Sequence, residues 1–365
     1  MQNLSQQWIL QICHSYYPPF LDCARQYAAL FKDTSYKVTT VYLQGEYNQA
    51  VVEGSASDEV IFLGYKSRDI GGLKLGAIQK IRAIAKNKPF EFCIAHRVKS
   101  TYVALLATQL PVISVHHNYN DYSRWSRRLL VNYYQKRILM LGVSDSVRDD
   151  LRRDLGWPNE RVQTMYNRID VNAVQAQLLP KDIARQALNL PLNAKVFANV
   201  GRLHHDKDQT TLIKAFAKSL PQLSGQNLLV IMGAGPLEQE LKYLAKKLTV
   251  ETSVIFLGNV PNAKQYFKAF DAFILTSYNE PFGMVLLEAM AAELPIICSD
   301  CGGGAEVVQG AGELFKFGDI EQLATKMVNV SNSSENLTAV NVLKTKFSDE
   351  IGKAQFAKIQ NKFMQ

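Results

Sequence analysis

Short apolar runs bounded by turn residues recur along the 365-residue chain, and longer segments with apolar residues at helical spacing separate them. That alternation constrains the fold most, because repeated strand, crossover helix and parallel strand is the arrangement that satisfies it. The runs fall at 8–12, 37–42, 92–95, 112–116 and 139–143, then at 195–200, 228–232, 254–257, 272–275 and 296–298. Two sets in tandem predict two doubly wound α/β domains, in a chain of about twice the usual single-domain size. The join is expected after Asn167-Arg168-Ile169-Asp170, where a polar stretch ending at Pro180 leads to the turn Leu190-Pro191-Leu192-Asn193. The polar patch Ser331 to Asn336 reads as a loop.

Composition removes several classes. With 47% hydrophobic and 20% charged residues the chain is neither collagen-like nor a charged disordered tail. No apolar run approaches the roughly 18 residues of a membrane-spanning helix. Met1 to Leu10 has neither a secretory nor a transit pattern, so a cytoplasmic location is expected. Five scattered cysteines fit reduced thiols better than a disulfide framework, and the single Cys298-x-x-Cys301 pair lacks the further ligands of a zinc site.

Charge is uneven. Residues 1–170 hold 22 Lys and Arg against 15 Asp and Glu, which accounts for most of the net charge of +8. One basic cluster is Lys80, Arg82, Lys86 and Lys88; another is Arg124, Arg127, Arg128, Lys136 and Arg137, interleaved with Tyr122, Trp125, Tyr133 and Tyr134. Such faces attract anionic lipid, nucleic acid or an acidic glycan by the same field, and a plain solvated helix face is the alternative.

Ligands of open parallel sheets bind beyond the carboxyl ends of the strands, so the informative residues should follow strands. Gly201-Arg202-Leu203-His204-His205-Asp206-Lys207 follows the run at 195–200, Gly233-Ala234-Gly235-Pro236 the run at 228–232, and Gly258-Asn259-Val260-Pro261 the run at 254–257. Arg202 and Lys207 can converge on one anion, and fixed cations stabilise the charge that develops on a departing diphosphate. The densest segment runs from Ser277 to Ala292. Pro281 suits a first helical position, which would make the amides of Phe282, Gly283 and Met284 an anion-binding helix start. Glu288 lies further along this apolar helix, where ribose hydroxyls would satisfy its carboxylate; an internal salt bridge is the alternative. Cys301-Gly302-Gly303-Gly304-Ala305-Glu306 opens another helix.

The pairs His116-His117 and His204-His205 do not read as metal chelates, because adjacent side chains on an extended chain point to opposite faces. Asp206-Lys207-Asp208 is discounted as a metal motif because its central lysine repels a cation. The zinc-protease, P-loop, serine-hydrolase and dinucleotide fingerprints do not occur.

Taken together these residues resemble the retaining GT-B glycosyltransferases of family 4, the large "glycosyl transferases group 1" class. The resemblance rests on the order of Gly201-Arg202-Leu203 with Lys207, Gly233-Ala234-Gly235-Pro236, Glu280-Pro281-Phe282-Gly283 with Glu288, and Gly302 to Glu306. Tyr17-Pro18-Pro19, His116, Val143-Ser144-Asp145-Ser146-Val147 and Asn167-Arg168-Ile169-Asp170 add to it in the first half. It implies two Rossmann-like domains facing a central cleft: an acceptor domain, 1–172, joined by a returning helix within 347–365, and a donor domain, 173–346. The expected reaction moves a sugar from a nucleotide diphosphate, a UDP-sugar by expectation, to a glycan or lipid-linked acceptor in bacterial surface polysaccharide or lipopolysaccharide synthesis.

By the family's pattern Gly201, Arg202 and Lys207 would hold the diphosphate and Glu288 the ribose. Glu280 with Phe282, Gly283, Met284 and Val285 would meet the donor sugar and phosphates, Asn259 and Val260 would lie near the base, and His116 would contact the transferred sugar. Glu280 and His116 are therefore the catalytic candidates. No cofactor and no metal are expected, and nucleic acid is not an expected partner. Peripheral contact with the inner face of an anionic membrane is. Two departures concern the acceptor side: Leu21-Asp22 stands where family members often carry two glycines, and Arg168 where the usual motif has glycine. An epimerase-like enzyme of the same fold and a non-catalytic glycan-binding scaffold are the rival readings.

Overall fold

The computed structural model describes residues 6–17, 20–330 and 337–364. Pro18, Pro19 and the patch at 331–336 thus lie outside the described residues. The chain divides into unit 1, residues 1–167 with 349–365, and unit 2, residues 168–348.

Unit 1 is built on a seven-stranded parallel sheet. Its strands are β1 (Gln7–Cys13), β2 (Tyr36–Gln44), β3 (Glu59–Tyr65), β4 (Phe90–His96), β5 (Val112–His116), β6 (Ile138–Gly142) and β7 (Val162–Thr164), in the order β3-β2-β1-β4-β5-β6-β7. Central strands are covered on both faces, so apolar residues run without alternation; Ile9, Leu10 and Ile12 are all fully buried. The one polar side chain in that run, Gln11, is satisfied by the Ala24 carbonyl at 3.1 Å and Thr40 at 2.9 Å. Local sequence sets the crossovers: Ser144 accepts from the Val147 amide at 3.1 Å to start the helix Asp145–Leu155, and Gly156 ends it at φ 66°.

The helix Asp349–Met364 packs within unit 1 although it lies far along the chain. Arg25 holds Asp349 at 3.1 Å, Phe356 meets Tyr27 and Phe31 edge-on, and Gln355 donates to the Thr164 carbonyl at 3.0 Å. Phe347 and Ser348, expected at the start of this helix, belong to unit 2 instead.

Unit 2 carries a six-stranded parallel sheet of β8 (Lys195–Val200), β9 (Asn227–Met232), β10 (Val254–Gly258), β11 (Ala272–Leu275), β12 (Ile296–Ser299) and β13 (Glu313–Phe315), ordered β10-β9-β8-β11-β12-β13. The stretch expected to be a polar connection holds two helices, Val171–Gln177 and Lys181–Ala187. Asp170 caps the first by accepting from the Ala173 amide at 2.9 Å. Arg185 anchors the second. Its side chain is buried, reaches Asp271 at 2.7 Å and donates to the Ala269 carbonyl at 2.8 Å. Polar composition there hid a buried ion pair rather than a linker.

Three strands were not expected from the sequence: β3, β7 and β13. Each borders its sheet, and β7 and β13 are three residues long, too short to register as apolar runs.

Candidate functional site

In each unit the order of strands reverses once, and such a reversal opens a crevice beyond the carboxyl ends of the two strands beside it. In unit 2 the reversal falls between β8 and β11. The loop after β8 carries Gly201 to Lys207, and the loop after β11 carries Thr276 to Gly283.

These two loops are tied together. Lys207 Nζ donates to Glu280 Oε2 at 2.7 Å, Ser277 Oγ donates to the same oxygen at 3.2 Å, Thr276 Oγ1 donates to the Lys207 carbonyl at 2.8 Å, and the Tyr278 amide donates to the Asp206 carbonyl at 2.9 Å. Glu280 is 8% exposed, so its charge is compensated by a neighbouring cation rather than by bulk water. Its carbonyl accepts from the Gly303 amide at 2.8 Å, which fixes it to the start of the helix Gly302–Val308.

Arg202 points further out, with a side chain 72% exposed, and reaches Asp206 Oδ2 at 3.4 Å. Lys207 stands 4.0 Å from the same oxygen. The Asp206 carboxylate therefore sits between the two cations assigned to an anion, with His204 Nδ1 beside its other oxygen at 2.5 Å. Sequence reading dismissed Asp206 as a metal ligand and did not foresee this role. Ser277, the second partner of Glu280, was also missed; its place three residues before Glu280 in a turn was the available signal.

The neighbouring turns close against this loop. Gly201 donates to the Met232 carbonyl at 2.9 Å, Leu203 to the Ala234 carbonyl at 3.1 Å, and Gly233 to the Gly258 carbonyl at 2.8 Å. Gly233 has φ 136°, and a Cβ on it would stand 1.9 Å from the Gly201 carbonyl oxygen, so no larger residue fits. The turn of Asn259 and Val260 is thus joined to the site through the Gly233 turn, while β9 separates β10 from β8.

The helix expected from Pro281 begins later, as Met284–Ala291. Gly283 at φ 87° breaks the chain direction just before it, and Leu286 donates back to the Gly283 carbonyl at 2.9 Å. Pro281 is therefore in the loop, and the amino end of the helix is formed at Met284 and Val285. The Phe282 ring is buried and packs edge-on against Phe347, with centroids 5.7 Å apart, so its side chain anchors the loop. Along the helix only Met284, Val285 and Glu288 are half-buried, and every other residue is buried. Three candidate residues share the one open stripe of an otherwise enclosed helix.

His116 lies at the carboxyl end of β5 in unit 1. Its ring is fully buried in the structure, and both nitrogens have partners in unit 1: Asp121 at 2.7 Å on Nδ1, and Ser114 Oγ at 2.8 Å on Nε2. Side chains alternate along β5, so the next residue, His117, faces the other way. It is half-buried, with Nε2 3.2 Å from His96 Nδ1. Burial, with the charges of His96 and Arg97, holds its pKa well below the ordinary imidazole value. Of the two landmark departures, Leu21 and Asp22 lie in the first turn of the helix Phe20–Ala28, and Arg168 is buried.

Two tandem doubly wound parallel sheets, with the loops that carry Arg202, Lys207 and Glu280 at the strand reversal of the second, are the architecture of the GT-B fold class. The family model "Glycosyltransferase Family 4" matches residues 23–173 and "Glycosyl transferases group 1" matches residues 180–341, together most of the chain. The chain belongs to glycosyltransferase family 4. It is 29% identical over 228 residues to the N-acetylgalactosamine-N,N'-diacetylbacillosaminyl-diphospho-undecaprenol 4-alpha-N-acetylgalactosaminyltransferase of Campylobacter jejuni, covering 62% of this chain and 59% of that one. It is 31% identical over 186 residues to the N-acetyl-alpha-D-glucosaminyl L-malate synthase of Bacillus anthracis, covering 50% and 47%. The chain thus spans about half the length of the curated relatives it matches. In fold it is similar to Anabaena HepE, solved with UDP and glucose, with a TM-score of 0.79 at 23% identity, covering 97% of this chain and 99% of that one.

Proposed function

We propose that the chain transfers a glycosyl group from a nucleoside diphosphate sugar, seated on unit 2, to a glycan or lipid-linked acceptor of a bacterial surface polysaccharide. The observation that carries this reading is the junction of Arg202, Lys207 and Glu280 at the strand reversal. When the bond from sugar to diphosphate breaks, negative charge grows on the leaving group. Arg202, Lys207 and the helix start at Met284 and Val285 are fixed positive groups that stabilise that charge more than the intact donor. No metal is needed for this work. Glu288, on the open stripe one turn along, takes the ribose hydroxyls. Glu280, held by Lys207 and Ser277, orients the donor sugar. The configuration is retained by attack on the face the diphosphate leaves, with a leaving-group oxygen taking the acceptor proton.

Two relatives support the choice of substrates: HepE was solved with UDP and glucose, and the Campylobacter enzyme is named for a diphospho-undecaprenol acceptor. Among the described residues no helix is long and apolar enough to cross a membrane. Contact with an anionic membrane surface is instead assigned to the helix Trp125–Tyr133. Trp125, Leu129 and Tyr133, spaced by four, are 68%, 59% and 83% exposed and stand among Arg124, Arg127 and Arg128.

The test is titration of the purified protein with UDP and UDP-sugars. Lys207→Ala and Glu288→Ala are expected to lose donor binding while keeping the wild-type circular dichroism spectrum; unchanged affinity in both overturns the site. Transfer should persist in excess EDTA. Trp125→Ser with Leu129→Ser should abolish sedimentation with phosphatidylglycerol vesicles, and sedimentation equal to wild type removes the membrane assignment.

A further inference from the structure

The ladder between β8 and β11 joins Phe197 to Ala272 and Ala198 to Phe273, and beyond it the two strands part to open the crevice at the strand reversal of unit 2. At the next residue along β8 a side chain takes over the link. Asn199 is 1% exposed, and its Nδ2 donates to the Ile274 carbonyl on β11 at 2.8 Å. That bond fixes which end of the amide is which, so Asn199 Oδ1 is left as an acceptor.

Gln209, the first residue of the helix Gln209–Ser219, is equally buried and supplies the donor. Its Nε2 donates one proton to Asn199 Oδ1 at 3.4 Å and the other to the Arg202 carbonyl at 3.0 Å. The reverse orientation would set Gln209 Oε1 against two acceptors, so the nitrogen must face the loop. A chain of side-chain bonds therefore runs from β11 through Asn199 and Gln209 to the backbone of Arg202. The same carbonyl takes a second bond from the His204 amide at 3.0 Å, and Thr276 holds the Lys207 carbonyl at the other end of the loop. The Arg202 side chain is largely exposed, but its root is held.

This arrangement leaves one group unsatisfied. Gln209 Oε1 is buried and has no hydrogen-bond partner among the described residues. An unpaired buried acceptor destabilises a fold, and methionine, of nearly the same length, would fill the space without one. Nor does the helix need this side chain for its start, since Asp208 caps it by accepting from the Thr211 amide at 3.2 Å. Packing alone thus favours an apolar residue at 209; what glutamine adds is the bond to Arg202.

We propose that Gln209 is a positioning residue for the transfer reaction: through Asn199 it ties the backbone of Arg202 to β11, and so sets where the guanidinium meets the diphosphate. The proposal rests on the reading of unit 2 as the donor site. A cation held in place stabilises the charge of a leaving group without reorganising, and a displacement of about 1 Å removes much of that effect.

The experiment is a double-mutant cycle on the full chain, read by calorimetric titration with UDP. Gln209→Met should weaken UDP binding about tenfold, and Arg202→Ala at least as much. The double variant should bind no more weakly than Arg202→Ala alone, because a residue that acts through Arg202 then has nothing left to act on. Wild-type affinity in Gln209→Met, or losses that add in the double variant, overturns the proposal. Gln209→Met should also equal or exceed the wild-type Tm, since the unpaired acceptor is gone. A Tm lower by several degrees marks Gln209 as structural and counts against the role. If methionine is not accommodated, Gln209→Leu carries the same expectations. Hydrogen–deuterium exchange of the ligand-free chain separates this inference from the donor reading. Residues 201–208 should exchange faster in Gln209→Met than in the wild type while β8 and β9 stay protected, and equal exchange overturns the anchoring. If UDP fails to bind the wild type while the loop exchanges faster in the variant, the donor reading falls and the anchoring of Arg202 stands.

Discussion

Lys207 and Glu280 are 73 residues apart in sequence and 2.7 Å apart in space, and their pairing joins the loops on the two sides of the strand reversal in unit 2. The lysine is not spent on the glutamate alone. A tetrahedral ammonium has three protons to donate, and with one on Glu280 it can still meet a phosphate oxygen. On the proposed reading the pair stands between sugar and leaving group, each member holding the other where its ligand would arrive.

Asp206 competes for that capacity. Its carboxylate lies 3.4 Å from Arg202 and 4.0 Å from Lys207. Replacing it by the neutral isostere, Asp206→Asn, should raise UDP affinity several-fold, by removing a competing anion that the diphosphate must displace. Calorimetric titration at low and moderate salt checks this. A weaker affinity would mean that Asp206 positions the cations instead of opposing the ligand.

Arg185 and Asp271 form an ion pair whose arginine is almost wholly enclosed, at 2.7 Å with a further bond to the Ala269 carbonyl. Removing one member leaves the other charge with too little solvent. Arg185→Ala should therefore cost about 3 kcal/mol or more of unit 2 stability. Urea unfolding of the variant would show it, and a loss below about 1 kcal/mol contradicts the burial argument.

His14 supplies a pH dependence. Burial, then Lys99 and Arg97, lowers its pKa from 6.5 to about 4. Between those values the unfolded chain takes up a proton that the folded chain refuses, so folded stability declines as pH drops through that window and is complete above it. His14→Asn should flatten part of the decline in urea midpoints between pH 7 and pH 4.5. An unaltered slope would place the titration elsewhere, with His117 as the next group.

Thiol chemistry separates the cysteines. Cys13, Cys23, Cys93 and Cys298 are buried, and burial pushes Cys23 to about 12; Cys301 is half-buried. Native protein should react quickly with Ellman's reagent at one thiol only, and Cys301→Ser should remove that phase. Rapid labelling of a second cysteine would show that a buried one opens readily.

Much of this architecture was legible because central parallel strands are covered on both faces and so write themselves as unbroken apolar runs. The border strands β3, β7 and β13 were not, since one covered face or three residues leave no such run. Within unit 2 the candidate residues could be found from position alone, each following a strand. The start of the helix at Met284 could not, because it turns on the backbone angle of Gly283, and proline at 281 offered a plausible earlier start. The direction of His116 was equally hidden: the sequence places two histidines side by side, and only packing decides which one turns inward.

The helix Asp349–Met364 has a consequence for biosynthesis. Ribosomes deliver its residues after all of unit 2, whereas Tyr27, Phe31 and Thr164, which it covers, emerge far earlier. Unit 2 is continuous and can close while translation is still under way. The earlier residues of unit 1 must wait, with an uncovered apolar seam, for residues 349–364 to arrive. Chaperone engagement during synthesis is therefore expected on the older half of the nascent chain.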